Sequence, residues 1–290
     1  MDAEARIAAL PCWKGRPKLS PLKGGLSTTS FRVEDDAGAH VARLGGDTPA
    51  HHVFRTRERA ASLAAAAAGL SPGVTYWEDD ILVIDFIAGR TFTEADMRAN
   101  VSAIGELLKK AHHAVAPHLR GPVNAFWVFH IIRDYAAELA RHGQDSARFA
   151  ALANSLEARQ MPLPIIFGHH DLLPGNILDD GKRLWLIDWE YGGFGTAMFD
   201  LANVAANGAY GLHDEARLLE AYFGRKPDGA TQESFDAMKI ASALREATWA
   251  MISQIHLAVP GADYSAHAAD YLARTEAALE QFTQRHGKLT

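Results

Sequence analysis

The residues whose types and spacing could carry out chemistry lie close together, between positions 169 and 188. His169, Asp171 and Asn176 form the pattern H-x-D-x-x-x-x-N, and the same run closes on Asp188. One carboxylate can accept a proton from an incoming hydroxyl, and an amide oxygen with a second carboxylate can hold magnesium on nucleotide phosphates. The spacing therefore favours metal-assisted phosphoryl transfer.

A β-hairpin is predicted between the last two of these residues. Two short apolar runs, 177–178 and 184–187, flank the turn sequence Asp-Asp-Gly-Lys at 179–182. Asn176 enters this hairpin and Asp188 leaves it, so both side chains reach the same end. Oxygen ligands suit magnesium, which is a hard cation. We therefore expect Asn176 and Asp188 to share one metal ion.

The adjacent residues His169 and His170 raise zinc as an alternative. Two neighbouring histidines do not easily face one ion, and the chain has no H-E-x-x-H motif. The interpretation that we favour is that His169 braces the loop through hydrogen bonds.

The surrounding pattern predicts a small β-rich lobe, a short hinge at 85–89 and a larger, mostly helical lobe. Strands are predicted at 31–34, 40–44, 74–77 and 81–86, with one helix at 54–68. After the hinge, helices are predicted at 101–115, 128–141 and 147–160, and again from residue 212. Short strands return only around the motif, at 164–167, 177–178 and 184–187.

Composition narrows the class of protein. The chain has 290 residues, a net charge of -6 and one cysteine, Cys12. The acidic balance argues against a nucleic-acid partner, and it suits a small cationic substrate. A single cysteine excludes an intramolecular disulfide. No signal sequence or membrane span is recognised, so the expected location is the cytoplasm. The oligomeric state is left open.

The segment 168–207, which contains H-H-D-L-L-P-G-N and L-W-L-I-D-W-E-Y, resembles the aminoglycoside phosphotransferase and choline kinase superfamily. Within it, the resemblance is strongest to bacterial choline/ethanolamine kinase-like proteins, and it extends over about residues 20–285. It implies an α+β, protein-kinase-like bilobal fold, with a nucleotide-binding lobe at 1–88 and a catalytic lobe at 89–290. It also implies transfer of the ATP γ-phosphate to a small alcohol, with Mg²⁺.

The resemblance assigns roles within the motif. Asp171 is implied as the catalytic base, and Asn176 and Asp188 as the magnesium ligands. Asp200, in F-D-L-A, matches an aspartate that braces the catalytic loop, although it could instead cap a helix that starts at Leu201.

Nucleotide-binding residues are implied in the first lobe. Arg43 takes the place of the strand lysine of kinases, and Glu58 is its helix partner. Lys23 is an alternative phosphate contact. The hinge backbone should bind adenine. The remaining implied residues are the loop residues Gly24, Gly25, Ser27 and Thr28 and the hinge residues Asp85 and Ile87.

The acceptor site is implied by Glu190 and Tyr191, which directly follow the metal ligand, and by Trp249 and Tyr264 further on. Aromatic faces and negative charge can hold an ammonium group, so choline or ethanolamine is the expected acceptor. Trp249 and Tyr264 could also be ordinary core aromatic residues, and the segment Ala262-Asp263-Tyr264 departs from the D-F-D-Y of the family. Aminoglycoside or thiamine kinases, and a nucleotide-binding pseudokinase, remain alternatives.

Overall fold

The structure is a computed structural model, and it describes residues 2–22, 28–257 and 262–289. An antiparallel sheet occupies the N-terminal part and helices dominate the C-terminal part, as expected for the α+β, kinase-like architecture. The helices are α1 (Ala3–Ala8), α2 (Arg55–Ala67), α3 (Glu94–Ala99), α4 (Val101–Ala114), α5 (Val128–Arg141), α6 (Ala147–Glu157), α7 (Ala197–Asn207), α8 (Leu212–Phe223), α9 (Gly229–His256) and α10 (Tyr264–His286).

The strands form three sheets. They are β1 (Lys18–Leu22), β2 (Thr29–Asp35), β3 (Gly38–Leu44), β4 (Val74–Trp77), β5 (Ile81–Asp85), β6 (Arg90–Thr91), β7 (Asn124–Ala125), β8 (Ile165–Gly168), β9 (Ile177–Asp179), β10 (Leu184–Leu186) and β11 (Gly193–Thr196). The large sheet has the order β1-β2-β3-β5-β4, and the small ones are β10-β9-β6 and β7-β11-β8.

The turn between β2 and β3 shows why this part of the chain forms a hairpin. Asp35 accepts hydrogen bonds from the backbone N–H groups of Ala37 and Gly38, at 2.8 and 3.1 Å, and so closes the turn. Gly38 has a φ of 149°, which a residue with a side chain rarely adopts. The register then pairs Arg43 of β3 with Ser30 of β2 and with Leu82 of β5.

Among the described residues the apolar core has two main clusters, and a third, small cluster lies between α9 and α10. The smaller of the two main clusters lies between the sheet and α1, where Ile7, Val33 and Val83 are fully buried. One face of α2 packs instead into the larger core, through Ala61 and Ala65. Helix α2 is therefore packed against the C-terminal part, although it lies between strands of the N-terminal sheet.

Helices α7 and α9 form the centre of the larger core, since most of their residues are buried. Helix α9 starts at Gly229 because Asp228 caps it by accepting a hydrogen bond from the backbone N–H of Thr231. Among the described residues, no helix combines the length and apolar character that crossing a membrane requires.

Candidate active site

The predicted hairpin brings the motif residues together. The backbone N–H of Ile187 donates to the carbonyl of Asn176 at 3.0 Å, which places Asp188 next to Asn176 at the open end of the β9–β10 pair. The Asn176 amide nitrogen donates to the Asp171 carboxylate at 3.1 Å and to its carbonyl at 2.8 Å. This assigned orientation turns the amide oxygen of Asn176 away from Asp171, so that oxygen is available to a cation.

Asp188 occupies a strained position. Its φ is 68°, in the left-handed region that β-carbon-bearing residues rarely adopt, and His170 has a φ of 63°. Strain of this kind tends to gather at functional sites. Asp188 Oδ1 accepts a hydrogen bond from Arg43 Nη2 at 2.8 Å. Two oxygen donors, from Asn176 and Asp188, therefore fit magnesium at this point.

Asp200 braces the catalytic loop from below, as the resemblance implied. Its carboxylate accepts hydrogen bonds from the backbone N–H groups of His169 and His170, both at 2.8 Å, and lies 2.9 Å from His112 Nε2. Asp200 is the fourth residue of α7, so the helix cap suggested at Leu201 is wrong: α7 begins at Ala197. The helix starts earlier because Ala197, Met198 and Phe199 are buried against the core.

Two asparagines on the same face of α7 complete this brace. Asn203 accepts a hydrogen bond from the backbone N–H of Leu172 at 2.6 Å, and Asn207 donates to its carbonyl at 3.2 Å. The sequence analysis missed both residues. The signal was present, because positions 200, 203 and 207 share one face of a helix.

The two buried aspartates at the loop, Asp200 and Asp171, have pKa values shifted in opposite directions. Burial alone would raise the pKa of Asp200. The nearby histidines His170, His112 and His169 outweigh burial and hold that pKa well below its usual range. Burial raises the pKa of Asp171 well above its usual range, although Arg245 opposes the shift. Asp171 thus holds a proton more strongly than an exposed aspartate, as suits a general base.

The two neighbouring histidines face different partners. His169 Nε2 lies 2.9 Å from the carbonyl of Ile187, so its ring ties the loop to the hairpin as predicted. The His170 ring stacks on Phe126, with ring centroids 4.2 Å apart. A β-carbon at Gly168 would lie 2.5 Å from His170 Nε2, which explains the glycine at that position.

The predicted pair of Arg43 and Glu58 is formed. Arg43 Nη1 lies 2.9 Å from Glu58, while its other terminal nitrogen binds Asp188. Arg55, which the sequence analysis did not single out, lies 2.5 Å from Glu58 and 3.1 Å from Glu190. Glu190, expected among the acceptor residues, is therefore in contact with the arginine cluster next to the predicted phosphate side.

A small pocket opens beside these charges and is lined by Thr28, Arg43, Arg55 and Glu58 among others. Thr28 is the part of the predicted phosphate loop that the structure describes. Lys23, Gly24, Gly25 and Ser27 lie outside the described residues.

The hinge backbone donates hydrogen bonds at its first two residues. The N–H of Asp85 donates to the Gly73 carbonyl at 2.8 Å, and that of Phe86 to the Ala39 carbonyl at 3.0 Å. Within the described part of the chain, the N–H of Ile87 makes no such bond. Ile87 is therefore the first hinge residue that could donate to the edge of a base.

Three predicted acceptor residues form an aromatic cluster. Trp249 Nε1 donates to the Tyr191 hydroxyl at 3.0 Å, and the Trp249 and Tyr264 rings lie 6.0 Å apart and edge to face. All three residues are buried. The structure therefore brings them together, and their burial suits both the acceptor role and the core alternative.

Arg245 is the residue next to this cluster that the sequence analysis missed. Its guanidinium lies over the Tyr191 ring, 4.3 Å from the centroid, and 3.8 Å from Asp171 Oδ1. It also pairs with Glu246. Within the described ranges, two of its buried nitrogens, Nε and Nη2, have no hydrogen-bond partner. The available signal was the R-E-A-T-W run at 245–249, which is similar to the R-E-A-x-W segment of choline kinase-like proteins.

Comparison with known proteins shows the family of this chain. The choline/ethanolamine kinase family profile matches residues 19–221. A probable ethanolamine kinase from Arabidopsis thaliana is 30% identical over 270 residues, covering 80% of this chain and 71% of that protein. A choline/ethanolamine kinase family protein from Mesorhizobium loti superposes with a TM-score of 0.76 at 27% identity, covering 98% of this chain and 96% of the other.

More distant structures share the fold. The choline kinase LicA of Streptococcus pneumoniae has a TM-score of 0.73 at 20% identity, covering 91% of this chain and 94% of that one. An aminoglycoside phosphotransferase has a TM-score of 0.66 at 19% identity, covering the same shares. The match of the family profile extends over more than half of the sequence. The chain belongs to the choline/ethanolamine kinase family, whose members are small-molecule alcohol kinases.

Proposed function

We propose that this kinase transfers the γ-phosphate of ATP to the hydroxyl of an amino alcohol, with ethanolamine preferred over choline. The grouping of Asp171, Asn176 and Asp188 supports the reaction type, because the Asn176 amide donates to Asp171 and the backbone bond from Ile187 to Asn176 places Asp188 beside them. The observation that favours ethanolamine is the placement of Arg245 over the Tyr191 ring.

In the proposed mechanism, Asp171 accepts the hydroxyl proton of the acceptor. Asn176 and Asp188 would hold Mg²⁺, which neutralises charge on the transferred phosphoryl group. Arg43 lies against Asp188 and Glu58, so its guanidinium is positioned to contact phosphate oxygens. The Ile87 N–H would bind adenine. The brace from Asp200 holds the backbone that carries Asp171, and the chemistry then depends mainly on positioning and charge.

The acceptor preference follows from the chemistry of the two ammonium groups. A quaternary ammonium has no N–H and is held mainly by the faces of aromatic rings. One face of Tyr191 already carries the Arg245 guanidinium. A primary ammonium can instead donate hydrogen bonds to carboxylates, and Glu246 lies beside Arg245. The Arabidopsis relative, named as a probable ethanolamine kinase, supports the same preference.

The test is an assay of ATP consumption with ethanolamine, choline, thiamine and an aminoglycoside, each with Mg²⁺, followed by identification of the phosphorylated product. We expect kcat/KM for ethanolamine to exceed that for choline by about tenfold, equivalent to about 1.4 kcal/mol. A larger kcat/KM for choline would contradict the preference. Turnover of none of the four acceptors would contradict the reaction as proposed.

The role of Arg245 has its own test. In Arg245→Gln the Tyr191 face is freed, so the ratio of kcat/KM for choline to that for ethanolamine should rise about tenfold, because a cation–π contact is worth roughly 0.5–2 kcal/mol. The ratio cancels any general loss of activity. Arg274→Gln is the matched control, since Arg274 covers Tyr271 at 4.8 Å on the partly exposed side of α10. An unchanged ratio in Arg245→Gln would show that Arg245 does not set the preference.

A further inference from the structure

Three metal-ligating side chains meet where the end of α5 approaches the end of α9. They are Glu138 and His142, one helical turn apart, and His256, the last residue of α9. One ligand atom from each lies within 4.8 Å of the others. The group is partly exposed, with 20%, 44% and 32% of the three side chains accessible. Solvent can therefore reach it.

The two carboxylate oxygens of Glu138 have separate partners. Oε1 lies 3.2 Å from His142 Nε2 and 2.8 Å from His256 Nε2, whereas Arg141 binds Oε2. The two imidazole rings are nearly perpendicular, at 88°, with centroids 5.6 Å apart. Both Nε2 atoms thus point at one oxygen from different directions. Arg141 pairs with the other oxygen and leaves Oε1 to the two histidines.

This donor set differs from that of the reaction centre. Two imidazole nitrogens and one carboxylate oxygen favour zinc and related transition metals, whereas magnesium prefers oxygen ligands alone. A carboxylate with two histidines also leaves a fourth position open to water. Millimolar magnesium should therefore not compete for these three side chains.

We propose that Glu138, His142 and His256 form a zinc-binding site that joins the ends of α5 and α9. The ion would take the place of the two hydrogen bonds between the histidines and Glu138, and both imidazoles would bind through Nε2 with their single proton on Nδ1. Trp249 lies seven residues before His256 on the same helix, about 10 Å along its axis at 1.5 Å per residue. Zinc would thus stabilise the end of the helix that carries Trp249.

The experiment is a titration of the full chain, treated with a chelator and then desalted, with zinc chloride in the presence of millimolar magnesium. Isothermal calorimetry should show one equivalent bound with a Kd in the micromolar range, and zinc should raise the melting temperature. His142→Ala and His256→Ala should each raise the Kd at least 100-fold and abolish the shift in melting temperature. His213→Ala, which removes an exposed histidine of α8, should leave both unchanged.

Glu138→Gln adds a second type of variant, because it removes the ligand charge while it keeps a side chain of the same size. It should weaken zinc binding at least tenfold, and circular dichroism would show whether it folds as the parent does. Binding with unchanged Kd in His256→Ala would overturn the proposal. So would the absence of saturable binding below 100 µM zinc, on the order of the weakest affinity that would count as a specific site. In that case Glu138 serves only as an acceptor for its neighbours.

Discussion

Two regions of the site differ in how completely their polar groups are hydrogen-bonded: the backbone of the catalytic loop, and the buried arginines Arg55 and Arg245. Below the loop, Asp200, Asn203 and Asn207 bond the backbone of residues 169, 170 and 172 at 2.6–3.2 Å. The pocket beside Arg43 and the aromatic cluster around Tyr191 are called the cleft side. There, Arg55 has one buried nitrogen, Nη2, without a hydrogen-bond partner among the described residues, and Arg245 has two.

This difference separates scaffold from ligand-facing groups. An unmade hydrogen bond on a buried donor costs roughly 1–3 kcal/mol, so a chain built only for stability would satisfy these arginines as it satisfies the loop. Ligand oxygens, from phosphates on one side and an acceptor on the other, would supply the missing partners. Substitutions below the loop should therefore reduce stability, whereas substitutions in the cleft should reduce binding and turnover.

The largest effect on stability is expected at Asp200. Asp200→Asn replaces an acceptor of three hydrogen bonds with a group that offers one acceptor oxygen and two N–H donors. We expect the free energy of unfolding, measured in urea, to fall by about 3–5 kcal/mol, as when a buried charged partner is lost. Asp270→Asn, in which the side chain is exposed on α10 and pairs with Arg274, should cost less than about 1 kcal/mol. Equal losses of unfolding free energy in the two variants would show that the hydrogen bonds of Asp200 add no more stability than an exposed ion pair.

On the cleft side, Arg43→Met tests ligand binding. This variant removes the cation that links Glu58 and Asp188, so the KM for ATP should rise about 10- to 100-fold while the KM for the acceptor changes much less. Arg16→Met, at an exposed arginine of the N-terminal part, should leave both KM values unchanged. An equal rise in both KM values for Arg43→Met would mean that Arg43 is structural rather than part of the nucleotide site.

A smaller effect on stability, which depends on pH, is expected at His51. Its two ring nitrogens contact Tyr135 at 3.4 Å and Ser253 at 3.1 Å, and burial followed by the charge of Arg245 lowers the pKa of His51 to about 3. The folded state thus resists protonation that the unfolded state accepts below about pH 6.5. The contribution of neutral His51 to the free energy of unfolding is fully present above that pH and is lost as the pH drops towards 3.

Between pH 6.5 and 4.5, the free energy of unfolding should fall less steeply in His51→Gln than in the parent. The difference should be about 1 kcal/mol per pH unit, because one proton separates the two states. Urea unfolding at several pH values measures it. Identical slopes would show that His51 does not titrate between the folded and unfolded states.

Much of the fold could be predicted because period and turn signals agree along the chain. The helix predicted at 128–141 has those bounds as α5, and the strand pair around residues 78–80 is present. The strand β1 was not predicted, because Pro21 interrupts its pattern. The strands β6, β7 and β11 were not predicted either, since two- to four-residue strands carry too few side chains to show a period. Their partners are distant in the sequence, so only the folded chain defines them.

The residues of the candidate site also differ in whether the sequence could predict them. Asp171, Asn176 and Asp188 could be predicted because they lie on one loop and hairpin, where local spacing decides which side chains meet. Arg245 reaches Asp171 from 74 positions along the chain, and its burial depends on how α9 packs against α5 and α7. Contacts of this kind follow from packing and leave no mark on a local pattern.

The central claim is that Asp171 acts on the acceptor while the charges around it bind the nucleotide. The measurement that tests it most directly compares kcat and nucleotide Kd in Asp171→Asn, with ethanolamine as acceptor. Loss of a general base typically lowers turnover by about 10²–10⁴, and the Kd for ATP with magnesium should stay within about threefold of the parent. A kcat within about threefold of the parent would contradict the claim.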